Sequence, residues 1–353
     1  MIIWAWIDAS FFWIMGFLLF IHLIKSKNEE KQIKDIYSEI IESILFIIVG
    51  FYVLNMFPDT VNAQITLYLI HIIAFSVITI FFFGFNVFPN YLKSRRDPSY
   101  RKNLSYYKFL EKMDYKYKTQ EEGIILDKFK DLSRKILHII QFVGVITIYF
   151  VSIYFIRENN KWGISPLQFR NFLYTLIAGF FWIMMMVGDL TRLNGWKYLP
   201  QWGIKWYEKS LELNRERWTL NAVTPILLAN LIWIHQIFPI QVFFSAVWVS
   251  CIGDAIASIV GKNFGKHKLK FGYYPEKSIE GLMAGIFTTF IGIFLLFLIF
   301  PFEGLTLLNI LIISFVCGII FLLTDAYIRH FCDNLLNALL IGFFTWILLL
   351  VLS

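Results

Sequence analysis

A carboxylate, a serine and small residues recur at helical spacing in the stretch Asp254-Ala255-Ile256-Ala257-Ser258-Ile259-Val260-Gly261-Lys262-Asn263-Phe264-Gly265-Lys266. Read as a helix, it puts Asp254, Ala257, Ser258 and Gly261 at i, i+3, i+4 and i+7, on one face. Shortly after it, Lys277, Glu280, Gly281 and Ala284 share a face in the same way. Both acids are embedded in apolar runs, where a carboxylate costs roughly 3 kcal/mol or more and by default marks a site. Two such faces, each with an acid, small residues and a lysine, could meet at one membrane surface and hold a phosphate with its metal ion. Small residues four apart also let membrane helices approach closely. That packing role for Ala257, Gly261 and Gly265 is compatible with a phosphate-sized gap.

Further chemistry-bearing groups lie at the ends of other apolar runs. Arg134 and Lys135 sit one turn from His138, an arrangement able to bind a polyphosphate or to shuttle a proton. Alone, it equally suits a helix end anchored among headgroups. Asp189 and Arg192 close another run with i, i+3 spacing, which by itself is an ordinary helix-end ion pair. Asp325 and Asp333-Asn334 flank a short connection near the C-terminus, where Asp333 is placed to cap the last helix.

The elements that must position these groups are membrane helices. Only 16% of the 353 residues are charged, against 58% hydrophobic, whereas soluble domains carry about 25% charged residues. Apolar runs long enough to span fall at about 2–24, 38–57, 65–88, 136–156, 169–188, 219–237, 238–260, 279–300, 305–324 and 334–352. The expected fold is therefore all-α and polytopic, with about ten transmembrane helices. Under that count, all but Arg157, Lys161 and Arg170 of the 32 Lys and Arg fall on one side. By the positive-inside rule that side is the cytoplasm, which places both termini on the other.

The three cysteines form no CxxC pair, so neither a zinc site nor a disulfide framework is indicated. The net charge of +7 and the basic, aromatic loop 89–135 fit an anionic lipid surface, with no need for nucleic acid. His22 and His71 in their apolar runs read as packed residues. The chain divides into an N-terminal three-helix module, 1–130, and a seven-helix core, 131–353.

In that topology Asp189, Asp254, Glu280, Asp325 and Asp333 come from separate helices yet reach one membrane face, with Arg134, Lys135, Arg192, Lys262, Lys266 and Lys277 at the same level. Acids can hold Mg²⁺, while cations and a helix N-terminus take up phosphate charge. The chemistry indicated is phosphoryl or nucleotidyl transfer to a lipid head at the bilayer surface. A transporter is the different class of reading. Acids confined to one surface, with no internal inverted repeat, argue against it.

The run Asp254-x-x-Ala257-Ser258-x-x-Gly261-x-x-x-Gly265-Lys266, followed by Lys277-Ser278-x-Glu280-Gly281, resembles the signature of the membrane polyprenol kinase family. That family includes dolichol kinase, phytol kinase and the CTP-dependent diacylglycerol kinase. Arg134-Lys135-x-x-His138, Asp189-x-x-Arg192, Arg215-Glu216 and Asp333-Asn334 resemble further family elements in the same order, so the likeness covers roughly 131–353. It departs from the pattern at Asn337-Ala338, where the family tends to have a proline, and at Asp325, where a glutamate is more typical. The resemblance implies CTP-dependent phosphorylation of an isoprenoid or lipid alcohol with a divalent metal, Mg²⁺ above all. On that basis Asp254, Glu280, His138 and Asp333 are the expected catalytic groups, and Asp254, Glu280 and Asp189 the expected metal ligands. Arg134, Lys135, Arg192, Ser258, Gly261, Lys262, Gly265, Lys266, Lys277, Ser278, Gly281 and Asn334 are the expected nucleotide and phosphate contacts. The alternative within the same chemistry is transfer of a cytidylyl group from CTP to a phospholipid acid, giving a CDP-lipid.

Overall fold

The computed structural model describes residues 2–25, 33–56, 62–103, 106–118, 120–158, 164–193, 201–211, 220–221, 223–235, 237–272, 277–328 and 332–353. Among these residues there is no strand beyond an isolated antiparallel bridge between Lys268 and Ser278. Nine helices among the described residues are long and apolar enough to cross a membrane. The chain is an all-α polytopic membrane protein.

The expected runs map onto helices with two differences. The run 219–237 contains only α10 (Val223–Ile232), and ten residues at 1.5 Å each cover about half of a hydrocarbon core. Turn residues end it at Trp233, and Pro239 fixes the entry to the next helix. Ile226, Leu228 and Ala229 are fully buried, so this short helix is core. The stretch expected as the loop 89–135 is itself helical through α4 (Phe88–Arg96), α5 (Pro98–Asn103), α6 (Tyr106–Lys118) and the start of α7 (Gln120–Glu158).

The chain forms two compact units, Met1–Arg134 with Asn159–Thr224, and Lys135–Glu158 with Pro225–Ser353. The first unit thus takes in described residues of 159–224 together with the N-terminal helices.

In the first unit α1 (Ile2–Lys25) and α2 (Ile33–Leu54) form a close hairpin, joined by α3 (Asn62–Ile80) and α8 (Pro166–Leu193). Glycines permit the approach. A Cβ on Gly50 would come within 2.3 Å of the Trp13 indole, and one on Gly179 within 2.6 Å of the Phe75 ring. Trp182 stacks on Phe46 at 3.7 Å between ring centres. Buried among these rings, His71 bonds Asp8 through Nδ1 at 2.8 Å and the Phe172 carbonyl through Nε2 at 3.0 Å, tying three helices together. Outside the spans, α6 packs Phe109, Leu110 and Met113 against Tyr207 and Leu211 at the end of α9 (Gln201–Ser210).

The second unit packs α11 (Ile240–Trp248), α12 (Asp254–Phe264), α13 (Ile279–Ile299), α14 (Leu307–Tyr327) and α15 (Asp333–Leu352) around one core, with Lys135–Glu158 of α7. Between α11 and α12 the residues Val249–Gly253 form a π-helical turn, a local widening that in helices is frequent at functional sites.

Gly179→Val should lower the thermal midpoint of the purified protein by the equivalent of about 1–3 kcal/mol, because its methyl groups meet the Phe75 ring. At Gly144 a Cβ would meet nothing within 4 Å, so Gly144→Ala should leave the midpoint unchanged or raise it slightly. Thermal scans of both variants in one detergent check the contrast.

Candidate active site

The crossing of α12 with α13 is set by residues without side-chain bulk. A Cβ on Gly281 would lie 2.7 Å from the Ala257 carbonyl oxygen and 2.8 Å from the Gly261 Cα. A Cβ on Gly265 would lie 2.1 Å from the Gly261 carbonyl oxygen. Gly261 and Gly281 therefore face each other's helix backbones, while Gly265, just past the end of α12, is closed in by its own helix and the Ser278 side chain. Ser278 caps α13, its hydroxyl oxygen accepting from the Gly281 amide at 3.2 Å. These residues hold the C-terminal turns of α12 to the start of α13.

Asp254 opens α12 straight after the π-helical turn. It is 7% exposed and bound by the ammonium of Lys135 from α7. Asp325, in the last turn of α14, is 5% exposed and accepts from Lys277 Nζ at 2.6 Å, while the same ammonium also donates to the Asp325 carbonyl at 3.0 Å. Asp333, the first residue of α15, stands 4.0 Å from Lys277 Nζ. The three acids offer carboxylate oxygens that all lie within 4.8 Å of one another. Hard oxygen donors at such spacing are the ligand chemistry of Mg²⁺, so the residues present fit a divalent cation.

One turn deeper, the Thr324 hydroxyl donates to Asn337 Oδ1, joining α14 to α15 beneath two of the acids. Asn337 is fully buried, and its Nδ2 meets no hydrogen-bond acceptor among the described residues. His138, one turn along α7 from Lys135, is 3% exposed and in electrostatic reach of Asp254.

The other expected residues are placed differently. Glu280 pairs with His267, whose Nδ1 lies 2.6 Å from it, on a more open part of the second unit, and also accepts from the His267 amide. Lys262 and Lys266 are exposed and Ser258 is half-buried. The side chains of Arg134 and Asn334 lie outside the described residues.

Asp189 and Arg192 belong to the first unit and form a closed network there. Both are fully buried. Asp189 Oδ1 accepts from Arg192 Nε and Nη2 at 3.2 and 3.1 Å and from the Tyr207 hydroxyl at 2.9 Å, and Oδ2 accepts from the Asn221 amide at 2.9 Å. Burial, with the neighbouring Asp189 charge, pushes the Tyr207 hydroxyl well above its ordinary range. Its oxygens so engaged, Asp189 fastens α9 and the 220–221 segment to the end of α8.

Asp325, Thr324 and Asn337 had the weakest sequence signals among the clustered residues. Asp325 carried one, an acid directly across the short connection from Asp333. Asn337 carried another, an amide one turn from Asp333 in an otherwise apolar run. Thr324 had none, since its role depends on which helix packs beside it.

The model of the cytidylyltransferase family matches residues 131–331 of the chain. No curated protein and no solved structure matches it.

Tyr207→Phe should cost about 1–3 kcal/mol by removing a donor from a buried carboxylate. Asp189→Ala should cost more, about 3–5 kcal/mol, because Arg192 is left charged and buried. Denaturation of the two variants, read side by side, checks that order.

Proposed function

Because this chain belongs to the cytidylyltransferase family, we propose that it transfers a phosphorus-bearing group from CTP to a membrane lipid, acting as a lipid alcohol kinase. The observation that carries this reading is the convergence of Asp254, Asp325 and Asp333 within 4.8 Å, with Lys135 and Lys277 bound among them. The kinase-like spacing of Asp254 to Gly281 supports the choice of reaction.

In this reading Asp254, Asp325 and Asp333 hold the divalent ion. Bound there, Mg²⁺ would supply positive charge to the phosphate oxygens. Lys277 and Lys135 sit where they can neutralise further phosphate charge, and the exposed Lys262 and Lys266, at the C-terminal end of α12, add positive charge that draws the nucleotide to this unit. His138 takes the proton of the lipid hydroxyl as its oxygen bonds to the γ-phosphorus. The bond from that phosphorus to the β-phosphate oxygen breaks, and CDP leaves. Glu280 and Ser278 position the segment that carries Lys277, Glu280 through His267 and Ser278 through its cap. Asp189 and Arg192 act through structure in the first unit.

A second reading is favoured by the family match itself, transfer of the cytidylyl group to a phosphatidic acid. There the nucleophile is already an anionic phosphate oxygen, so no proton need be removed, and pyrophosphate leaves. The two differ in which phosphorus is attacked and in the need for His138.

Purified protein given Mg²⁺, a panel of dolichol-, phytol- and diacylglycerol-like acceptors, and CTP labelled at one phosphorus or the other separates them. Label from the γ-position should enter lipid, and Asp325→Asn should reduce that transfer by more than the roughly 10–100-fold typical of an outer-shell partner. Label entering only from the α-position, with phosphatidic acid as acceptor, would replace the kinase by the second reading. Lipid unlabelled from either position would end both.

A further inference from the structure

The acid cluster of the second unit contains its own cations. Three carboxylates face two ammoniums, so that the described cluster carries a single net negative charge. Lys135 comes from α7 and is 8% exposed at its side chain, against 10% for Asp254. Lys277 is 17% exposed and reaches both Asp325 and, at 4.0 Å, Asp333. Neither lysine is a long surface side chain resting on an acid by chance, since each is surrounded by protein and directed at a proposed metal ligand.

A site of three carboxylates alone would attract a divalent cation strongly. A unit charge about 4 Å away in partly buried surroundings changes such an attraction by orders of magnitude. Two lysines in place therefore hold the bare cluster to weak affinity. A nucleotide triphosphate reverses the balance, because its oxygens add ligands for the ion and negative charge for the ammoniums to meet. Each of metal and nucleotide then supplies what the other lacks, and by linkage each raises the other's affinity by the same factor.

We infer that Lys135 and Lys277 are internal counter-ions that keep the three-carboxylate centre from binding a divalent cation by itself, so that metal and nucleotide are taken up together. This rests on the metal-binding reading of Asp254, Asp325 and Asp333, and it holds for either fate of the transferred group.

The test uses the full chain in detergent, with Mn²⁺ binding followed by the loss of the free-ion paramagnetic resonance signal, and with no lipid acceptor present. In the unaltered protein Mn²⁺ alone should bind weakly, and CTP should tighten it at least tenfold. Lys277→Met should tighten Mn²⁺ binding without nucleotide by about tenfold or more and shrink the effect of CTP. Lys277→Arg, which keeps the charge, should behave as the parent. Lys135→Met supplies the same comparison from the other lysine if the first variant does not fold. Nucleotide-free Mn²⁺ binding that is unchanged or weakened in the Met variants would overturn the inference while leaving the metal centre standing. Absence of Mn²⁺ binding to the parent even with CTP would overturn the centre itself.

Discussion

An ionised carboxylate inside an apolar helix bundle persists only where a cation or several donors meet it, and much of this molecule is arranged to satisfy that condition. Asp8 meets His71, Asp189 meets Arg192 and Tyr207, Asp254 meets Lys135, and Asp325 meets Lys277. The pairs differ in completeness. Around Asp189 both oxygens are engaged by donors from its own unit, which leaves nothing for a ligand. Around Asp254, Asp325 and Asp333 three acids from separate helices converge with two lysines among the described residues, and this convergence separates a place where a cation can be held from a place where charge only fastens helices.

The membrane architecture was legible in the chain because its signal is additive. A run of about twenty apolar residues announces a span whatever it packs against. Among the described residues of the run 219–237 only Val223–Ile232 are α-helical, with turn residues from Trp233, and apolar content hides that interruption. The helical nature of 89–135 was obscured for the opposite reason. Its charges and aromatics suit a surface helix as well as a loop, and only packing such as Phe109 and Met113 against Tyr207 reveals the helix.

The candidate site was legible in its residue types and less so in its partnerships. Spacing within one helix follows from the sequence, so Asp254, Ala257 and Gly261 fell on one face as expected. Which acids meet depends on pairing between α12, α14 and α15, and local spacing contains no information about that. Hence Glu280 stood out by its motif yet binds His267, while Asp325 drew less notice and lies beside Asp254. The glycines show the same ambiguity, since a missing side chain can admit a phosphate or a neighbouring helix, and here the neighbouring helix is present.

The π-helical turn at Val249–Gly253 also has a bearing on how this chain can change. It accommodates one residue more than an α-helical turn, and each residue rotates everything after it by about 100° around the helix axis. Loss of a single amino acid there would restore the regular winding and keep the residues on either side on their faces, whereas a single loss in the regular turns of α11 would turn Asp254 away from Lys135, although no charged group had been touched. Deletions and insertions in those regular turns should therefore be as poorly tolerated as replacement of the acid, and the length of a featureless stretch becomes part of the chemistry.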